Sequence, residues 1–286
     1  MLTMRWFLGV LWALGMLVIM GCNSVNSDQQ SQITFAATMN GTQGIYRIGE
    51  TGSNLRLVMA DGTSPAFQPL GDRIVFVRGG NNLFVVREDG GNLTQLTNNG
   101  IGVTVDGPAF SRDGQTVVFS TSTVVLGALS AIHLIGINGG TESTVVVDGT
   151  QPAFAPDGTS IVFVRGVDIY LININGTGLL NLTNNGVGVA STQPTFTPDG
   201  TQIAFTTVAV TPGAVPVIEV MNINRSARQT LLANASSPTY HPNGSRIAFV
   251  RDNNLFTATA GGSAITQLTN NLPIATGGRI SWGALQ

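Results

Sequence analysis

The chain contains no lysine: all 13 of its basic residues are arginines, set against 15 acidic residues. Charged side chains make up only 10% of its 286 positions, against roughly a quarter in ordinary soluble domains. Neutral polar groups must therefore keep the exterior in water. With no basic stripe to track phosphates, no nucleic-acid partner is expected. A single cysteine, Cys22, excludes an internal disulfide. The two histidines, His133 and His241, cannot complete a zinc site with it once it is lipidated, so neither a metal nor a cofactor is expected. No Gly-Lys-Ser phosphate loop and no Gly-x-Ser-x-Gly elbow occurs, which argues against nucleotide hydrolysis and serine-esterase chemistry.

What is present begins at the N-terminus. Arg5 is followed by an apolar run from Trp6 to Met20 and then by Gly21-Cys22. A basic start, an apolar segment and small residues before a cleavage point make a secretory signal. With cysteine at that point, the pattern resembles a bacterial lipobox and implies cleavage after Gly21 and acylation of Cys22. Residues 1–21 are thus expected to be a lipoprotein signal peptide, and residues 22–32 a lipidated cysteine with a polar tether. Two or more acyl chains anchor a protein stably where one is marginal, since each buried methylene contributes about 0.8 kcal/mol.

From residue 33 to 286 the chain repeats. Phe67, Phe110, Phe154, Phe196, Tyr240 and Trp282 follow one another at steps of 43, 44, 42, 44 and 42 residues, and Pro stands two places before each of the first five. Periods near 40 mark propellers or solenoids. A turn follows each of the first five, clearest in Pro156-Asp157-Gly158 and Pro198-Asp199-Gly200, where Pro presets φ and Gly tolerates positive φ. Next comes a strand apolar on both faces, such as Ile74-Val75-Phe76-Val77, then one with a Leu-Phe or Ile-Tyr pair, then a short fourth strand. Four short strands separated by turns form one antiparallel blade, and a strand apolar on both faces suits a sheet packed between neighbouring sheets. The expected fold is all-β: a six-bladed propeller of four-stranded antiparallel blades. Because the repeats open on a second-type strand at Ile33 and close on a first-type strand at Ile280–Trp282, pairing of the terminal strands should seal the ring.

A two-blade period lies above the single one. Alternate blades end their second strand in Arg78, Arg165 and Arg251, and their last strand runs into Leu-Thr-Asn-Asn at residues 96–99, 182–185 and 268–271. The Pro-x-Phe-x-Pro-Asp-Gly turn, the Ile-x-Phe and Ile-Tyr strands and the Leu-Thr ending resemble TolB-type propeller repeats. The resemblance covers residues 33–286 and implies the fold. It is weak for function, because related repeats occur in partner-binding periplasmic proteins, peptidase propellers and polysaccharide lyases. The α/β domain that precedes the propeller in TolB has no counterpart between Cys22 and Ile33.

Strand order sets the first-to-second and third-to-fourth turns on one side of such a disc and the remaining connections on the other. The second side should gather Arg78, Arg165 and Arg251, the pairs Asn98 and Asn99, Asn184 and Asn185, Asn270 and Asn271, and insertions at Ser120–Ala131, with Val124, Val125 and Leu126, and Thr206–Val217. Apolar loops beside polar ones are expected to form a contact surface for an envelope protein or polymer. The arginines are read either as ligands for carboxylates or phosphates, or as ties between blades. An anchored, monomeric binding scaffold in the bacterial cell envelope is the leading expectation, facing the periplasm on the outer membrane or standing on the cell surface. The alternative is a carbohydrate-active enzyme, a polysaccharide lyase or glycosidase. Against it, the innermost strands offer only His241 as a group ionising near neutrality, whereas Asp113, Asp157 and Asp199 sit in turns and glycoside hydrolysis needs two placed carboxylates. A channel cation on Asp168, Asp252, Asn82 or Asn254 is a further, weaker candidate.

Overall fold

A computed structural model describes residues 31–125, 127–272, 274 and 278–284. The signal-peptide segment, Cys22, most of the tether and Leu126 lie outside the described residues. Blade 1 is shared by the two ends of the described chain: β1 (Ser31–Met39), β2 (Thr42–Gly49) and β3 (Arg56–Ala60) are joined by the last strand, β24 (Ile280–Ala284). Blade 2 is β4 (Gly62–Phe67), β5 (Arg73–Arg78), β6 (Asn82–Arg87) and β7 (Thr94–Gln95). Blade 3 is β8 (Val103–Phe110), β9 (Thr116–Thr123), β10 (Ala131–Gly136) and β11 (Ser143–Val147). Blade 4 is β12 (Thr150–Phe154), β13 (Ser160–Arg165), β14 (Asp168–Asn173) and β15 (Leu180–Asn181). Blade 5 is β16 (Val189–Phe196), β17 (Gln202–Ala209), β18 (Val217–Asn222) and β19 (Gln229–Ala233). Blade 6 is β20 (Ser236–Tyr240), β21 (Arg246–Arg251), β22 (Asn254–Thr259) and β23 (Thr266–Gln267).

All six sheets have four strands in simple antiparallel order, so the expected six-bladed, all-β propeller is the observed one. β1 pairs with β24 in register from Ser31↔Ala284 to Phe35↔Ile280, and the Trp282 indole donates to Ser31 Oγ at 2.6 Å. The sheet therefore begins two residues earlier than Ile33, inside the segment read as tether.

The core sits between blades, because each second strand is apolar on both faces. Every one of them contributes a fully buried phenylalanine: Phe35, Phe76, Phe119, Phe163, Phe205 and Phe249. Six apolar clusters fill the six blade interfaces, and the one that joins Ala248, Val250 and Leu255 to Ile33, Phe35 and Trp282 closes the circle. Fully burying one such side chain contributes about 1.5–3 kcal/mol.

The disc has two unlike faces. Turns between first and second strands, such as Pro69–Asp72 and Pro198–Thr201, open on one, here the turn face. Second-to-third connections and the crossings between blades open on the other, the loop face. In blades 3 and 5 the first two strands extend farther toward the loop face: residues 103–106 pair with 120–123, and residues 189–192 with 206–209. The first four residues and the last of each insertion read from sequence are thus strand.

Candidate functional site

The inner strands of blades 2 to 6 each make a bulge one residue before their proline, while β24 of blade 1 pairs without one. Pairing slips between Thr63 and Ala66, Asp106 and Ala109, Thr150 and Ala153, Thr192 and Thr195, and Ser236 and Thr239. The extra residues Ser64, Gly107, Gln151, Gln193 and Ser237 adopt φ between 47° and 58°, a left-handed conformation that costs a non-glycine residue roughly 1–2 kcal/mol. The bulges direct polar groups toward one level of the central channel. There Gln193 Nε2 donates to Ser237 Oγ at 2.8 Å, Gln193 N donates to Gln151 Oε1 at 2.8 Å, and Gln193 Oε1 accepts from Ser237 N and Thr206 Oγ1. On the other side of the ring Ser64 Oγ donates to Asp106 Oδ1 at 2.5 Å.

Arg279 takes the sixth place in this ring. From blade 1 it reaches across the channel, donating to the Pro152 carbonyl at 2.7 Å and to the Pro108 carbonyl at 3.5 Å, in blades 4 and 3. Together Gln193, Ser237 and Arg279 form the floor of a funnel of about 190 Å³ that opens on the turn face. Its walls are the prolines and aromatics of the inner strands, and its rim is Pro69, Leu70, Arg112, Pro156, Pro198 and Pro242. Arg112 Nη1 donates to the Pro198 carbonyl at 3.4 Å, past blade 4. Among the described residues no Asp or Glu lines the funnel, whereas two arginines do. Burial of Arg279 lowers its pKa to about 10, opposed by the negative charge of Asp106, so it stays a cation at neutral pH. His241 packs edge-on against Trp282, its ring 5.0 Å away, and burial lowers its pKa, leaving it neutral.

The repeated arginines lie on the loop face and are engaged at home. Arg165 donates to the carbonyls of Asp148 and Val147, both at 2.8 Å, and stands over the rings of Phe163 and Tyr170. Arg251 does the same with Asn234 and Ala233 at 3.0 and 2.9 Å, over Phe249 and Phe256. Arg78 meets Asp61 across 3.9 Å, and its guanidinium lies 6.0 Å from the Phe84 ring. In each case the partner sits at the left-handed residue of the crossing between blades: Asp61, Asp148 or Asn234. The turn aspartates cap backbone: Asp113 Oδ1 accepts from Ser111 Oγ and Gln115 N, Asp157 Oδ1 from Thr159 N, and Asp199 Oδ1 from Thr197 Oγ1 and Thr201 N.

No family model matches the chain, and no curated protein does. Solved structures do. TolB from Acinetobacter baumannii superposes with a TM-score of 0.73 at 19% identity, over 91% of this chain and 68% of that one. A putative TolB from Agrobacterium tumefaciens gives 0.66 at 20%, over 84% and 88%. The fold is that of the TolB propeller. An oligogalacturonate lyase in complex with manganese shares it more distantly, with a TM-score of 0.59 at 15% identity over 85% of this chain and 75% of that one.

Within this TolB-type propeller the second asparagine has a local task in two of the three pairs, those of blades 2 and 4. Asn99 N donates to Asn82 Oδ1 at 2.7 Å and its amide to the Asn81 carbonyl at 2.9 Å, while Asn185 binds Asp168, Val167 and Ser191. Asn98, Asn184, Asn270 and Asn271 are exposed. The oxygens read as cation ligands are spoken for: Asp168 accepts from Thr183, Asn181 and Asn185, and Asn254 Oδ1 accepts from Thr269. Among the described residues no three His, Cys, Asp or Glu side chains converge as a metal site. Val124 and Val125 stand 76% and 68% exposed at the tip of the blade 3 ribbon, with Ile101 and Val187 fully exposed beside the two ribbons. Sequence reasoning missed Arg279; its only signal was a charged residue in a repeat column otherwise filled by Ser64, Gly107, Gln151, Gln193 and Ser237.

Proposed function

We propose that this propeller is a lipid-anchored scaffold of the bacterial cell envelope, held at the membrane through Cys22, and that a protein partner docks in the funnel on its turn face. The observation that carries this reading is the funnel itself. It is a preformed concavity with apolar walls, a few polar groups and a closed floor, the usual form of a recognition site. The loop-face residues singled out from sequence take part as scenery: Arg165 and Arg251 brace the blade crossings, and the valine-tipped ribbons offer a second, outer contact.

Crosslinking of the native protein in envelope fractions, with and without Thr195→Trp and Thr239→Trp in the funnel wall, tests the reading. Crowding the funnel should abolish capture of the protein partner while the circular-dichroism spectrum stays native. Undiminished capture by a folded, crowded variant removes the funnel from the docking site.

The shared fold of the oligogalacturonate lyase supports a second reading, in which the propeller cleaves an acidic polysaccharide. Release of unsaturated product from polygalacturonate by the purified protein would replace the scaffold with an enzyme.

A further inference from the structure

The floor of the funnel carries a positive charge that its surroundings leave unneutralised. Among the described residues no carboxylate oxygen comes within 4.0 Å of the Arg279 guanidinium. Asp106, the acid that acts on it electrostatically, is already bonded to Ser64. A guanidinium has five N–H donors in a planar fork, and the hydrogen bonds of Arg279 go to two neutral carbonyls. Arg279 is half-buried, with part of its surface open to the funnel; withdrawing a guanidinium even partly from water without an ion partner is unfavourable, and an apolar side chain of similar size commonly serves structure as well. The other inner strands close the same level of the ring with Ser64, Gly107, Gln151, Gln193 and Ser237, none of them charged.

We infer that Arg279 anchors an anion-selective pocket whose ligand is a protein segment presenting a carboxylate next to an apolar side chain. The inference rests on the binding reading above and names the chemistry of that site. Charge complementarity supports it at both ends, with Arg279 at the floor, Arg112 at the rim and, among the described residues, no acid lining the space between. The lining supports a peptide over a sugar chain. Prolines and alanines make much of the wall, the rings of Phe67, Phe110, Phe196, Tyr240 and Trp282 are buried behind it and offer no open face for a sugar to stack on, and hydroxyl and amide groups are confined to the floor and a few wall positions. Arginine matches a carboxylate with two parallel, charge-assisted hydrogen bonds. The carboxylate has two possible sources in a protein, a chain terminus or an Asp or Glu side chain.

Titration calorimetry on the full chain, with three short probes, separates these. Acetyl-Ala-Phe carries a free terminal carboxylate, acetyl-Phe-Asp-amide a side-chain one, and acetyl-Ala-Phe-amide none. At least one acid should bind about tenfold or more tightly than the amide, as a charge-assisted bond implies, and the tighter acid identifies the source. Arg279→Met should erase that preference while its melting temperature equals or exceeds that of the native chain; Arg279→Lys, keeping charge but not the fork, should reduce it. Equal binding of acids and amide by the native chain overturns the inference, as does binding of none of them. So does an undiminished preference in Arg279→Met or, should that variant not fold, in Arg279→Lys. Binding of trigalacturonate with no peptide bound overturns it in favour of an acidic polysaccharide. If Arg279→Met still captures the envelope partner and the crowded funnel does not, the docking reading stands and this inference alone fails.

Discussion

Tyr240 and Arg165 show how single side chains are placed by burial in this ring. Burial raises the Tyr240 phenol to about 12 from an ordinary 10.0, with the charge of Asp199 adding to it. The fold thus prefers the neutral phenol. Below the ordinary value both states hold the proton and this preference is intact; as pH rises through the window between the two values, the unfolded chain loses its proton first and stability drains away. Tyr240→Phe should therefore lose less stability than the native chain between about pH 10 and about pH 12, read as urea midpoints. Arg165 makes two short bonds to carbonyls and stands over two rings, and hydrogen bonds to charged groups are each worth about 1.5–3 kcal/mol when shielded. Arg165 is only partly shielded, so Arg165→Gln should cost about 1–2 kcal/mol in urea unfolding. Arg78 has a single 3.9 Å ion pair with an exposed Asp61, and Arg78→Gln should cost under about 1 kcal/mol. The sequence offers these three arginines as equivalent, because the repeat column is identical; what separates them is the exact approach to the crossing loop, which no residue letter records. Arg279 was illegible for a related reason. Its importance comes from the ring it completes, whose other five members are set by bulges at a positive φ, adopted by Ser and Gln residues that carry no mark of it.

At the scale of the strand, the Leu-Thr ending has a definite mechanical role. Thr97, Thr183 and Thr269 are buried, and each hydroxyl accepts from the backbone N–H that opens the third strand of its own blade: Leu83, Ile169 and Leu255, at 2.9, 3.0 and 2.8 Å. The outermost strand, two residues long in blades 2, 4 and 6, is thus pinned by a side chain where its ladder is too short to hold. Thr183→Val keeps the shape and strands the Ile169 N–H and part of Asp168. The expected loss is about 1–3 kcal/mol, the desolvation penalty of an orphaned buried donor, measured by urea unfolding. By contrast, Val124→Ser with Val125→Ser at a ribbon tip should change stability by no more than about 0.5 kcal/mol, and any larger effect would mean that the tips pack against something in the fold. Strands were the most legible part of the chain. A second strand apolar on both faces announces a sheet between sheets, and a Pro-Asp-Gly turn announces its start. The ribbons were read as loops because Ser120–Thr123 and Thr206–Ala209 are rich in Ser and Thr, and their pairing with residues 103–106 and 189–192 depends on register across the sheet.

For the whole molecule the decisive contact is the one between its ends. β24 supplies the inner strand of blade 1, Trp282 fills the last blade interface, and Ser31 lies directly opposite Ala284. An open ring of five and three-quarter blades would expose the edge of β1 and the apolar faces on either side of the gap, an invitation to pair with another chain. Ending the chain at Gly278 removes β24 and should yield aggregated or molten protein, detected as loss of a cooperative melting transition. That failure alone would not separate lost closure from lost sequence. A circular permutant does: joining Ala284 to Ser31 through about four Gly and Ser residues, a hairpin-length link, makes the closure covalent. New ends then open in the exposed connection of blade 5, between Pro212 and Gly213, where few contacts cross. Every strand and all six interfaces survive in this rearrangement. It should melt cooperatively within about 5 °C of the native chain, because stability resides in interfaces around a circle and not in where the polypeptide begins. A permutant that melts far lower would show that the pairing of β1 with β24 draws on the chain preceding Ser31, beyond the ring itself.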